Sequence, residues 1–126
     1  MPFRDPERHL RDILESIDRI NEFVRDMDFS AYLGDEKTRA AVERKMQILT
    51  EAVIRLEMQD AAALPEIDWK GYRGMGNFLR HSYHRVSDEI VWNTIQEDLP
   101  SLRQIVIKAL GSSSSLSPSE NIVDGL

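Results

Sequence analysis

Apolar residues recur at steps of three and four from the start of the chain. Leu10, Ile13, Leu14, Ile17, Ile20, Val24 and Met27 line one side of a helix predicted over residues 5 to 28. Asp5, Pro6 and Glu7 form its start signal: a capping carboxylate, a proline at the first helical position and an acid near the positive dipole end. Residues 29 to 35 read as a connection broken by Gly34, with Asp35 placed to cap a second helix that runs to about Met58. Ala41, Val42, Met46, Leu49, Val53 and Leu56 form its apolar face. The short connection predicts that the two helices pair as an antiparallel hairpin.

Pro65 marks a break after a weaker stretch over residues 59 to 66. A third helix is predicted from Asp68 or Trp69 to about His84. A fourth starts at Ser87 or Asp88 and carries Ile90, Val91, Trp92 and Ile95. Asp98-Leu99-Pro100 is expected to interrupt it and begin a fifth, with Leu102, Ile105, Val106 and Leu110 inward and Gly111 as C-cap. Residues 112 to 126 are serine-rich with little core material, so a flexible tail, disordered or ordered only as a partner-dependent arm, is expected there after a single domain over residues 1 to 111. No β-alternation is visible. The expected fold is all-α, a four-to-five-helix up-down bundle.

With 126 residues the chain suits one domain, and the absence of cysteine excludes disulfides and thiolate metal sites. The opening residues lack the apolar run of a signal peptide and no stretch has the length of a membrane span, so a cytoplasmic location off the membrane is expected. A formal charge of −6 argues against a surface that is basic throughout. The segment over residues 69 to 86 differs: it holds Lys70, Arg73, Arg80 and Arg85 and no acid, so it is +4 against −10 for the remainder. Such a segment is either an anion site or a cationic helix face that pairs with neighbouring acids.

Helical spacing gathers Arg73, Asn77, Arg80, His81 and His84 on one side of the third helix, opposite Tyr72, Met75 and Leu79. Histidine titrates near neutral pH and so can take or give a proton. Arginine stays charged and suits the charge that develops on a phosphoryl group. RNA supplies its own nucleophile, the 2′-hydroxyl, so phosphodiester cleavage on this stripe needs no metal and no cofactor. His81 and His84 lack a carboxylate on the same stripe, which disfavours a metal site. Gly71, Gly74 and Gly76 each cost the helix about 0.5–1 kcal/mol against alanine, which either a close helix crossing or a kinked first turn would explain. Trp69 and Trp92 are expected in packing, Glu51 at the surface and His9 in solvent.

Four segments carry a resemblance, which runs over residues 5 to 110. Arg44-Lys45-Met46-Gln47-Ile48-Leu49-Thr50-Glu51-Ala52 resembles R-N-x-E-I-I-G-E-A; Trp69 opens the next element; Asn77-Phe78-Leu79-Arg80-His81-Ser82-Tyr83 matches N-x-L-x-H-x-Y; and the run from Val91 to Pro100 resembles V-W-x-x-x-x-x-D-L-P. In this order they resemble the HepT-like ribonucleases of the HEPN superfamily. The resemblance implies a HEPN-type bundle that forms a homodimer with its active clefts at the interface. It further implies metal-independent endoribonuclease activity on RNA by a toxin held in check by a nucleotidyltransferase antitoxin of the MNT type. By the same resemblance His81 is the catalytic histidine and Tyr83 the tyrosine that accepts adenylylation. Asn77, Arg80 and Arg73 complete the candidate catalytic set.

One position departs from the pattern. The family's R-x4-6-H motif places an arginine just before the asparagine, where this chain has Gly76, and positions 74 to 76 hold no arginine at all. Arg73 and Arg80 are the two available substitutes. The alternative is a catalytically impaired HEPN-fold protein that only binds, or is adenylylated by, the nucleotidyltransferase. If position 76 is exposed, Gly76→Arg is expected to be tolerated and to raise cleavage.

Overall fold

The computed structural model describes residues 6–81 and 87–114. Six α-helical segments carry the chain: α1 (Pro6–Phe23), α2 (Phe29–Leu33), α3 (Glu36–Asp60), α4 (Trp69–His81), α5 (Asp88–Asn93) and α6 (Leu99–Ser114). A 3₁₀ turn, Ala61–Ala63, ends α3, and a π turn, Thr94–Asp98, joins α5 to α6. No strand occurs among the described residues, and no described helix is long and apolar enough to cross a membrane. The bundle is therefore all-α, as its periodicity predicts.

The core lies between α1, α3 and α6. Ile13, Ile17 and Ile20 of α1 meet Val42, Met46, Leu49, Val53 and Leu56 of α3, and all are fully buried. Leu99, Leu102 and Val106 of α6 close the third side. Burying each such side chain is worth about 1.5–3 kcal/mol. The α1–α3 pair is antiparallel, which sets the first turn of α1 against the last turn of α3. His9 is consequently only 5% exposed, with its Nε2 3.5 Å from the Gln59 side-chain nitrogen. This overturns the expectation that His9 sits in solvent.

The connection after α1 is more structured than its sequence suggests. Asp26 adopts a left-handed conformation, φ 65°, which aspartate tolerates better than most residues. Asp28 then accepts a hydrogen bond from the Ala31 N–H at 2.8 Å and caps the single turn of α2. Tyr32 of that turn is fully buried and stacks on Trp92, ring centroids 5.1 Å apart. Asp35 caps α3 through the Thr38 N–H at 3.0 Å and the Thr38 hydroxyl at 2.8 Å, and these bonds hold its carboxyl below the usual range. Beside this junction Arg39 donates to the Leu33 carbonyl and lies 3.7 Å from Asp88. Burial, then the Asp88 charge, raises the Glu43 carboxyl above its ordinary range despite Arg39.

Pro100 does not interrupt the last rod. Thr94 begins a wider turn, its hydroxyl donating to the Ile90 carbonyl at 2.9 Å, and the Leu99 N–H reaches the Thr94 carbonyl five residues back. Proline lacks an N–H and crowds the preceding turn; the widened register accommodates both, and helix continues from α5 through the π turn into α6. Nor is Gly111 a C-cap. It has no positive φ, and α6 continues through it to Ser114. The expected tail from residue 112 thus begins in helix, and residues 115 to 126 lie outside the described residues.

Two glycines of α4 have separate explanations. Asp68 caps this helix by accepting from the Gly71 N–H at 3.0 Å, and a Cβ at Gly71 would stand 2.2 Å from that carboxylate. Gly76 is buried against α3, where a Cβ would meet the Thr50 hydroxyl oxygen at 3.1 Å and the Thr50 Cβ at 3.2 Å. Close crossing of α3 and α4 is therefore the reason for Gly76, and position 76 is not the exposed site at which an arginine would be tolerated. Gly74 has open space around it, and nothing among the described residues explains it.

Two outcomes are expected. Gly76→Arg should cost about 1–3 kcal/mol in urea unfolding, as overpacking does, and should cost less when measured in a Thr50→Gly background. Equal costs in the two backgrounds would show that the sites are independent. The Tyr32 hydroxyl is buried without a hydrogen-bond partner among the described residues. Such a group costs about 1–3 kcal/mol, so Tyr32→Phe, which keeps the stack on Trp92, should raise the melting temperature. A lower one would mean that the hydroxyl is bonded.

Candidate functional site

The basic stripe forms the outer side of α4. Tyr72, Gly76 and Leu79 turn inward, whereas Lys70, Arg73, Asn77, Arg80 and His81 are all exposed. The rotation of the helix is set from below. Tyr72 and Leu79 belong to the core cluster, Met75 packs partly against it, and Gly76 lies on Thr50. With that side committed to α3, residues three and four apart on the other side are left exposed.

The two candidate arginines have different surroundings. Arg73 is in direct ion-pair contact with Glu57 of α3. The reading of this stripe as a cationic face that pairs with neighbouring acids holds for that residue. Arg80 instead turns back along its own helix and donates from Nη2 to Asn77 Oδ1 at 3.1 Å. Its Nη1 lies 3.5 Å from the point where a Cβ on Gly76 would stand. Asn77 and Arg80 are thus brought together, Arg73 is drawn toward α3, and His81 ends the helix as described, exposed beside Arg80. Tyr83, His84 and Arg85 lie outside the described residues.

Two residues that the sequence reading did not single out help to shape this face. Thr50 supports Gly76 from below, and Glu57 neutralises Arg73. Both sit on another helix, so spacing along α4 carries no trace of them. The one available signal is that Thr50 stands where the resembling segment R-N-x-E-I-I-G-E-A has its glycine.

A cleft of about 90 Å³ opens where the start of α4 meets the start of α6, with Asp68, Tyr72, Asp98 and Ser101 in its wall. Burial raises the Asp98 carboxyl above its ordinary range, and the charges of Glu97 and Asp68 add to the shift. Burial, then Asp98 and Asp68, likewise raises the Tyr72 phenol. The Asp98 of the D-L-P motif therefore sits among other acids. It lies apart from the basic stripe and suits an anion poorly.

Comparison with known proteins agrees with the resemblance seen in the sequence. The family model described as Ribonuclease HepT-like matches residues 13–109. A protein of Thermococcus cleftensis named probable ribonuclease HepT is 37% identical over 100 residues, covering 79% of this chain and 91% of the relative. Two putative RNases of Methanocaldococcus jannaschii are 34% and 31% identical, each covering 84% of this chain and 91% and 97% of their own lengths. No solved structure is a significant match. The matched region contains α3, the whole of α4 and the Val91 to Pro100 segment, and on this basis the chain belongs to the HepT-like ribonuclease family.

Proposed function

We propose that this protein is a metal-independent endoribonuclease that acts as the toxin of a toxin–antitoxin pair. The observation that carries the reading is the outer side of α4, where His81, Arg80 and Asn77 stand exposed on one helix inside the family-matched region. In the reaction the 2′-hydroxyl of RNA attacks the adjacent phosphorus, its proton leaves, and the bond to the 5′-oxygen of the next nucleotide breaks. A 2′,3′-cyclic phosphate and a free 5′-hydroxyl result. His81 takes the first proton or returns one to the departing oxygen. Asn77 orients the neighbouring polar groups, and an arginine stabilises the charge on the phosphoryl oxygens.

A homodimer suits this arrangement. One helix supplies only one exposed rim, and a twofold axis beside α4 would turn two rims into a cleft. Gly74, with open space around it, leaves the outer side of α4 low enough for close approach. The nucleotidyltransferase antitoxin and the adenylylation of Tyr83, which the motif resemblance suggests, belong to the same proposal, as does a cytoplasmic location.

A second reading has an observation in its favour. Gly76 occupies the place of the motif arginine, and Thr50 fills the space beneath it. On that reading the chain keeps the fold and the partner surface but cleaves poorly. Tyr83 is then modified by the nucleotidyltransferase in a protein without nuclease activity.

Purified protein incubated with RNA in the presence of a chelator separates the two. Cleavage is expected, and His81→Ala should reduce it by about 10²–10⁴-fold, the usual contribution of a positioned proton-transfer group. Equal cleavage by both proteins would remove His81 from the mechanism. No cleavage by a folded dimer that still accepts a nucleotide on Tyr83, with Tyr83→Phe as control, would establish the second reading.

A further inference from the structure

We infer that Arg80 is the phosphate-contacting cation of this protein, and that Gly76 is the bare seat on which its guanidinium rests. The inference rests on the ribonuclease reading and deepens it, because the arginine of the family motif is absent and the geometry selects its replacement.

Long side chains on an α-helix run back toward its N-terminus, so the surface over position 76 is covered by the residue at position 80. Arg80 follows this rule: Nη1 stands 3.5 Å from the point where a Gly76 Cβ would lie, and Nη2 donates to Asn77 Oδ1 at 3.1 Å. Asn77 thereby holds one edge of the guanidinium. An amide is neutral, so this bond orients the group without cancelling its charge. A guanidinium has five N–H donors in a fixed fork, and among the described residues Asn77 engages one of them, which leaves the others for two phosphoryl oxygens. A side chain at position 76 would have to share this space with the guanidinium above and with Thr50 below.

Arg73 lacks these properties. Its guanidinium contacts the Glu57 carboxylate, which neutralises the charge and holds the side chain toward α3. It also lies eight positions before His81, a rise of about 12 Å along the helix axis. Arg80 is the adjacent residue. The cation given up at position 76 is therefore regained one helical turn later, next to the histidine that handles the proton.

The test uses the full chain in two assays: cleavage of single-stranded RNA, and the salt dependence of binding to a 2′-deoxy-substituted oligonucleotide that cannot be cleaved. Arg80→Ala should reduce cleavage by roughly 10²–10³-fold, as the loss of one charge-stabilising donor does. It should also lower the slope of log affinity against log salt by about one phosphate contact. Added guanidinium ion should restore part of the lost cleavage, and Arg80→Lys should restore less than full activity because lysine lacks the fork. Arg73→Ala should produce a smaller loss than Arg80→Ala, and Arg103→Ala, which removes a cation paired with Asp18 on another side of the bundle, should leave both assays unchanged. His81-dependent cleavage that survives Arg80→Ala intact overturns the inference and leaves the ribonuclease reading standing, as does a larger loss from Arg73→Ala. A wild-type chain that does not cleave, yet loses one phosphate contact in Arg80→Ala, overturns the ribonuclease reading and upholds Arg80 as the phosphate ligand. Unchanged salt dependence in such a chain overturns both.

Discussion

Burial of α3 on two sides is the constraint on which the rest of the molecule depends. Val42, Met46, Leu49, Val53 and Leu56 are fully buried along it, against α1 over most of its length. A second side receives α4 through Thr50 and Glu57. A helix of 25 residues held in this way is a rigid ruler. Its register against α1 decides that His9 meets Gln59, and its register against α4 decides that Gly76 meets Thr50. The exposed basic side of α4 is thus a consequence of packing: whichever residues α3 accepts, the remaining ones face outward.

The contact between Thr50 and Gly76 joins packing to chemistry. In the resembling segments of the family a glycine stands where this chain has Thr50, and an arginine where it has Gly76. The two differences meet across one helix crossing, where a Cβ at Gly76 would lie 3.1 Å from the Thr50 hydroxyl. Relative to that pattern this chain carries the side chain on α3 and none at position 76, where the motif's positive charge is absent. Arg80 lies one turn further along α4, with its Nη1 3.5 Å from that Cβ position.

Polar groups at the two ends of the bundle are treated differently. At the junction of α2, α3 and α5, capping carboxylates find backbone donors, and Arg39 draws in both Leu33 and Asp88. Glu43 and the Tyr32 hydroxyl nonetheless remain there in an environment that disfavours their charged forms. At the start of α4 and α6, Asp68 and Asp98 crowd one small cleft. Neither end offers an anion what the outer side of α4 offers, a cation whose charge is held by a neutral amide.

Periodicity was enough to reveal the long helices, the cap at Asp35, a helix start at Ser87 or Asp88, and the exposure of Asn77, Arg80 and His81, because each depends on residues within a turn or two of one another. The order of the motifs was likewise readable, and with it the family. Other features needed the fold: the burial of His9, the helical turn at residues 29 to 33, the continuation of helix through Pro100 and Gly111, and the different partners of Arg73 and Arg80. In several of these the deciding partner is distant in sequence, as Gln59 is for His9, Trp92 for Tyr32, Glu57 for Arg73 and Thr50 for Gly76. A hydrophobic pattern states which side of a helix must be covered. Which side chain covers it, and which charge is neutralised on the way, is decided only when the helices cross.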